Sequence, residues 1–254
     1  MEIPAAGDTG LLTPWLVCPP TTRNELILKI RLLSNLDIIQ NDLLSTNAIL
    51  NKSFANSNAI AGGGGSMYTD EEVAHLPWIS KDHARYNKWK KRERSMKRLI
   101  KLVQQAGSSL NILVAGCGNG WLAAKLATNT SGNVTGMDIN LQYLQQAERV
   151  FAGLTNLEFV ASNISDGLLP DQQFDIIVFA GSIEYFSPMK AVIKNALEHL
   201  TLMGQIHIMD SPLPQVDELE SFQYKIIYNP SSWVNKLFPG KDPFCHIVIK
   251  NNFY

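Results

Sequence analysis

From residue 111 onward, short apolar runs alternate with amphipathic stretches. Asn111–Cys117, Asn133–Ile139, Leu157–Ile164, Phe174–Ala180, Gln205–Met209, Gln223–Tyr228 and Cys245–Lys250 read as strands. Phe174–Ala180 is apolar almost without a break, as strands covered on both faces are. Between them, Trp121–Thr128, Leu141–Phe151 and Met189–Leu200 carry apolar residues at helical spacing. Strand and helix in alternation predict an α/β fold, a mostly parallel sheet with helices on both faces.

Two zones precede this core. His83 to Gln105 has no Pro or Gly, and its later apolar residues, Met96, Leu99, Ile100 and Val103, fall at helical spacing. One long helix is expected there. Residues 1–66 differ in composition, being poor in charge and rich in Asn, Ser, Thr and Leu. Their apolar runs fit short strands and a helix equally well. They end in Gly62-Gly63-Gly64-Gly65-Ser66, a flexible linker by composition. The expected organisation is an N-terminal segment, 1–66, and a domain over 67–254 with its core at 111–254.

The chemistry concentrates where the first strand ends. Val114-Ala115-Gly116-Cys117-Gly118-Asn119-Gly120 runs from a strand through a glycine-rich turn into a helix. Glycines there let the chain turn tightly and let a ligand approach the backbone. The spacing is Gly-x-Gly-x-Gly, tighter than the Gly-x-Gly-x-x-Gly that places a pyrophosphate on a helix N-terminus. It suits a ligand without phosphate. The next strand ends in Asp138, about twenty residues on, where a carboxylate accepts the hydroxyls of a bound ribose. Asp138 is also placed to cap the following helix.

These residues resemble the class I S-adenosylmethionine-dependent methyltransferases, in the small-molecule group that includes ubiquinone and menaquinone biosynthesis enzymes. The resemblance covers about residues 99–204. It implies a Rossmann-like seven-stranded sheet, mostly parallel with the last strand antiparallel. It implies S-adenosyl-L-methionine as cofactor, held by Gly116, Cys117, Gly118, Gly120, Asp138, Ile139, Asn163, Ile164 and Ala180. Asn163 stands where the family carries an acid near the adenine, and Val114 where it carries one before the first glycine. Residues 211–222 are short for the helical crossover that follows the fifth strand.

Methyl transfer from a sulfonium needs little acid–base chemistry, because the leaving group is already good. Positioning can supply up to roughly 7–11 kcal/mol. Where the acceptor must lose a proton, Glu184 and Asp210 are the candidate bases, at the ends of the fourth and fifth strands. Tyr86, Trp89 and Tyr185 are the candidate substrate-pocket residues. His207, in mid-strand, reads as a packed histidine.

The net charge is −1 and charged residues make up 18% of the chain, so no overall field favours nucleic acid or membrane. Nine bases do crowd into 85–101: Arg85, Lys88, Lys90, Lys91, Arg92, Arg94, Lys97, Arg98 and Lys101. They read as a solvated helix face, with RNA methyl transfer through this helix as the alternative. No Asn-Pro-Pro-aromatic string follows the fourth strand, as amino-methylating nucleic-acid enzymes of this fold would have. A small-molecule acceptor is therefore expected. A non-catalytic protein retaining the fold is a further alternative. Three scattered cysteines suggest neither a disulfide framework nor a metal site. No run approaches a membrane span. A cytoplasmic location is the expectation.

Overall fold

A computed structural model of the chain describes residues 68–164, 172–212, 219, 221–228 and 245–250. The reading of 1–66 as a separate segment lies outside the described residues, as does most of the 211–222 connection. The elements are α1 (Asp70–His75), α2 (Tyr86–Ala106), β1 (Ile112–Ala115), α3 (Trp121–Ala127), β2 (Val134–Asp138), α4 (Leu141–Phe151), β3 (Leu157–Ala161), β4 (Phe174–Ala180), a 3-10 turn (Ile183–Tyr185), α5 (Met189–Glu198), β5 (Leu200–Ser211), β6 (Tyr224–Tyr228) and β7 (Cys245–Lys250). One seven-stranded sheet has the order β3-β2-β1-β4-β5-β7-β6. The β3-β2-β1-β4-β5 half is parallel throughout, and β7 runs antiparallel to both β5 and β6. This is the Rossmann-like sheet that the alternation and the resemblance imply.

The alternation of side chains sorts the core into two layers. Ile112, Val114, Ile176, Val178 and Met209 pack with α2, α3 and α4. Leu113, Ala115, Ile177, Phe179, Ile206 and Ile208 pack with α5. Val114, where the family has an acid, is 1% exposed and belongs to the first layer. Helix α2 buries Trp89, Met96, Leu99 and Val103, spaced seven, three and four apart.

Several boundaries differ from the sequence reading; β3, for one, stops at Ala161 rather than Ile164. α2 begins at Tyr86 rather than His83, because Asp82–Arg85 are turns without helical hydrogen bonding. α5 stops at Glu198, and β5 starts at Leu200 instead of Gln205, extending the sheet by pairing Leu200 with Phe174. α1 was not expected. A capping box at Thr69 and Glu72 starts it, and Asp70 anchors it to α4 through Gln146 and Arg149.

His207 is indeed buried, 1% exposed, and pairs with a second buried histidine across the β5–β7 ladder. His207 Nδ1 lies 3.0 Å from His246 Nε2. Burial, then the neighbouring ring, pushes His207 down to about 3. Burial and the Arg98 charge push His246 down to about 4. Both folded values lie below the unfolded value, so the pair's contribution is complete above about pH 6.5 and is lost as pH falls below it. Holding two rings neutral at pH 5 should cost about 2 kcal/mol each relative to pH 8. The raised Asp138 and Asp210 carboxyls act in the opposite sense. Urea unfolding at pH 8 and pH 5 checks this; a lower midpoint at pH 5 is expected, and an unchanged one contradicts it.

Candidate cofactor and acceptor site

The glycine loop and Asp138 lie at the same end of neighbouring strands. β1 pairs with β2 up to Ala115 opposite Met137. Gly116 and Cys117 both donate their N–H to the Met137 carbonyl, at 2.8 and 2.9 Å. Gly118 N–H donates to Asp138 Oδ2 at 2.7 Å, and Asn140 N–H donates to Oδ1 at 2.8 Å. The carboxylate thus pins the loop to the end of β2. It keeps lone pairs for further donors, since an ionised carboxylate offers about four acceptor positions. Burial raises the Asp138 carboxyl above its ordinary value, and the backbone N–H groups from Asn140, Gly118 and Ile139 oppose that shift.

Gly116, Gly118 and Gly120 all have positive φ, at 69°, 55° and 74°. Two of them serve different ends. An added Cβ at Gly120 would stand 2.6 Å from the Phe159 ring and 2.8 Å from Ala147 Cβ, so its bareness lets α3 close on β3 and α4. An added Cβ at Gly118 would meet nothing within 4 Å. Gly118 therefore borders open space beside the Asp138 carboxylate. The helix cap that the sequence left to Asp138 belongs to Asn140, whose side chain accepts from Gln142 and Tyr143 N–H. Asp138 is left to the loop and to a ligand.

The other expected cofactor residues fall around the same edge. Ile139, Asn163 and Ala180 are half-buried. The Ile164 side chain, 1% exposed, is packed among the α5-side core residues, so only its backbone can face a ligand. Cys117 is 7% exposed and fills the space under the loop near Gly136. Ser182, which the sequence did not single out, donates to the Ala115 carbonyl at 2.7 Å and ties the end of β4 to the loop.

Beyond β4 lie the residues expected on the acceptor side. Glu184 is exposed and accepts from the Ser211 hydroxyl at 2.8 Å. Asp210 is 6% exposed, with φ of 57°, at a register shift between Met209 and Ser211 in the β5–β7 ladder. A non-glycine residue in that conformation is uncommon and recurs at functional sites. Its Oδ2 is buried with no hydrogen-bond partner. Burial raises the Asp210 carboxyl; a Ser95 hydrogen bond and the Arg92, Arg98 and Lys88 charges oppose it.

Helix α2 covers this end, and its basic residues are not one solvated face. Lys90 and Lys97 pair with the buried Glu93 at 2.8 and 2.7 Å. Lys88, Arg92 and Arg98 act on Asp210. Lys91, Arg94 and Lys101 are exposed. Tyr86 is half-buried and Tyr185 is 54% exposed, as pocket residues at this mouth can be. Trp89 differs from the expectation. It is 3% exposed, donates to Tyr68 Oη at 2.7 Å and stands edge-on to Trp121, so it supports the helix from inside the core. A separate cavity of about 540 Å³, lined by Asn111, Thr135, Glu158 and Phe174 among others, opens at the opposite ends of the strands.

The methyltransferase domain family matches residues 112–204, the stretch from β1 to the start of β5. That stretch, under half of the chain, is similar to methyltransferase domains. Malonyl-[acyl-carrier protein] O-methyltransferase of Bacillus anthracis is 26% identical over 148 residues, 56% of this chain and 54% of that protein. Protein-L-isoaspartate O-methyltransferase of Pyrococcus horikoshii is 29% identical over 102 residues, 39% of this chain and 46% of that protein. The chain thus spans about half the length of the curated relatives it matches. Magnesium protoporphyrin IX methyltransferase from Synechocystis, solved with bound S-adenosylmethionine, shares the fold: TM-score 0.53 and 12% identity, covering 74% of this chain and 100% of that one. Among the described residues, no helix is long and apolar enough to cross a membrane. No cluster of three or more His, Cys, Asp or Glu side chains that could hold a metal occurs among them either.

Proposed function

We propose that the protein transfers the methyl group of S-adenosylmethionine to a small-molecule acceptor that enters beneath α2. The observation that carries the reading is the open space at Gly118 beside a carboxylate at the end of β2. The nucleoside lies along the loop, with Asp138 accepting from the ribose hydroxyls. Asn163 and the Ile164 backbone face the adenine, with Ile139 beside it. Gly116, Cys117 and Ala180 flank the methionine part. When bound, the cofactor supplies an electrophilic methyl carbon. The chain's own residues orient the acceptor and exclude water. Glu184 and Asp210 are the groups placed to take a proton.

The matched relatives are named as O-methyltransferases, one acting on a protein-bound and one on a protein substrate. The near-neutral charge and the half-buried placement of Arg92 and Arg98 beside Asp210 favour a small acceptor over RNA. Lys91, Arg94 and Lys101 are exposed and are not among the bases acting on Asp210 or Glu93. Phosphate tracking would make binding steeply salt-dependent. Bulk RNA titrated at low and moderate salt should bind weakly and lose that binding with salt. Tight binding at moderate salt, abolished when Lys91, Arg94 and Lys101 become Glu while cofactor binding survives, would replace the small-molecule reading with the RNA one.

A further inference from the structure

We propose that the acceptor atom is a hydroxyl oxygen clasped between Asp210 and Arg92, so that the protein is an O-methyltransferase for an acidic hydroxyl such as a phenol. The inference rests on the methyltransferase reading above and names the substrate class of that same site. It starts from a buried carboxylate oxygen that nothing on the protein satisfies. Asp210 Oδ2 has no partner, although the residue is only 6% exposed. An unpaired buried acceptor of this kind costs stability and is retained where a ligand supplies the donor. The bulge that turns Asp210 out of the β5 ladder aims it at α2, and its left-handed φ fixes that direction.

Opposite Asp210 stands a cation held in place. The Arg92 guanidinium lies over the Trp89 ring, 5.1 Å from its centre. Its Nη2 comes within 3.1 Å of where a Cβ on Gly181 would be, so the glycine after β4 makes room for it. The same Cβ position is 3.8 Å from Asp210 Cβ, so the carboxylate residue and the guanidinium both border one glycine. Arg92 also acts on Tyr185, at the exposed mouth. Stacking on Trp89 keeps the planar donor fork oriented, as a lysine would not be. Lys88, whose own charge is disfavoured first by Arg92 and then by burial, adds to the positive field. The groups acting on Asp210 include Lys88, Arg92, Ser95 and Arg98 from α2, and the Cys245 thiol of β7 feels its charge.

A hydroxyl fits both halves of this clasp. Its hydrogen donates to Asp210 Oδ2, and its oxygen accepts from Arg92. A carboxylate would bring a second negative charge against Asp210. An ammonium would bring a positive charge against Arg92 and Lys88. In the transfer, the O–H proton passes to Asp210 Oδ2 and an oxygen lone pair forms the new O–CH3 bond. The methyl–sulfur bond breaks with its electrons left on sulfur, giving neutral S-adenosylhomocysteine. The proton then leaves Asp210 for solvent. Burial suits Asp210 to this task, since it brings the carboxyl closer to the range of a useful base.

Three probes built on one ring separate the chemistries: 4-methylphenol, 4-methylbenzoate and 4-methylbenzylamine, which are neutral, anionic and cationic near neutral pH, titrated by calorimetry into the full chain loaded with S-adenosylhomocysteine. The phenol should bind at least about tenfold more tightly than either of the others, because an unmatched polar group in a built site is strongly rejected. Asp210→Asn and Arg92→Gln should each remove about tenfold or more of the phenol affinity, with S-adenosylhomocysteine binding within about twofold of native. Arg94→Gln, on the exposed face of the same helix, should change neither. With S-adenosylmethionine the product should be 4-methylanisole, formed more slowly by both site variants. Preference for the benzoate or the benzylamine would overturn the proposal. So would absence of phenol binding in a protein that still binds S-adenosylhomocysteine, or phenol affinity unmoved by both variants. Failure of the native chain to bind S-adenosylhomocysteine is a different result, and removes the cofactor reading beneath it.

Discussion

Asp138→Ala should abolish most cofactor affinity while leaving the fold in place. The carboxylate does two things at once. It accepts the Gly118 and Asn140 N–H groups, and it faces the open space beside Gly118 where the ribose would lie. Removing it deletes charge-assisted bonds to the ligand worth roughly 1.5–3 kcal/mol. It also leaves two loop N–H groups without their acceptor, which loosens the backbone that the ligand rests on. A loss of about 10–100-fold in S-adenosylmethionine affinity is expected. Asp138→Asn should fall between, since the amide oxygen still accepts but carries no charge. Calorimetric titration of the folded variants measures this, and native affinity in the alanine variant would contradict the assignment.

Gly120→Ala should instead damage stability. Its φ of 74° is costly for a residue with a Cβ, at roughly 1–2 kcal/mol. The added methyl would overlap the Phe159 ring and Ala147 Cβ, both held by packed elements, at about 1–3 kcal/mol more. The total of about 2–5 kcal/mol should lower the melting temperature by roughly 5–15 °C for a domain of this size. Gly118→Ala is the matched control. It bears the φ cost alone, because its Cβ meets nothing, and should lose no more than about 2 kcal/mol of stability. Its Cβ would occupy ligand space, so its main loss should be in cofactor affinity. Thermal melts of both variants decide the matter. Equal melting temperatures would mean that the two glycines do not divide the work in this way.

Much of this was legible in the residues themselves. Strand order cannot be read from a pattern, but the alternation from 111 to 209 and the glycine turn before Trp121 fixed the class of sheet and the edge that carries the ligand. Asp138 was legible because it ends the strand after the glycines. Its loop-pinning bond to Gly118 was not, since it depends on the register of β1 against β2. The division of labour between Gly118 and Gly120 was equally hidden. Both have the same residue type and the same sign of φ, and only Phe159 and Ala147, from other elements, tell them apart.

The inward side of α2 was partly readable. Lys88, Arg92, Ser95 and Leu99 stand four, three and four apart, so helical spacing puts them on one face with a core leucine. Counting nine bases together obscured that. The resemblance puts Trp89 at the pocket, since an N-terminal helix in that family often covers the site, but its ring is locked against Tyr68 and Trp121. The Asp210 bulge had no signal at all. It arises from a slip between β5 and β7, two strands more than thirty residues apart in sequence.

The cofactor site is the centre of the account, and one titration tests it most directly. S-adenosylmethionine and S-adenosylhomocysteine are each titrated by calorimetry into the native chain, then into Asp138→Ala. The account predicts saturable one-site binding of both ligands to the native protein and a loss of about tenfold or more in the variant. No heat of binding from the folded native chain, or identical curves for native and variant, would contradict it.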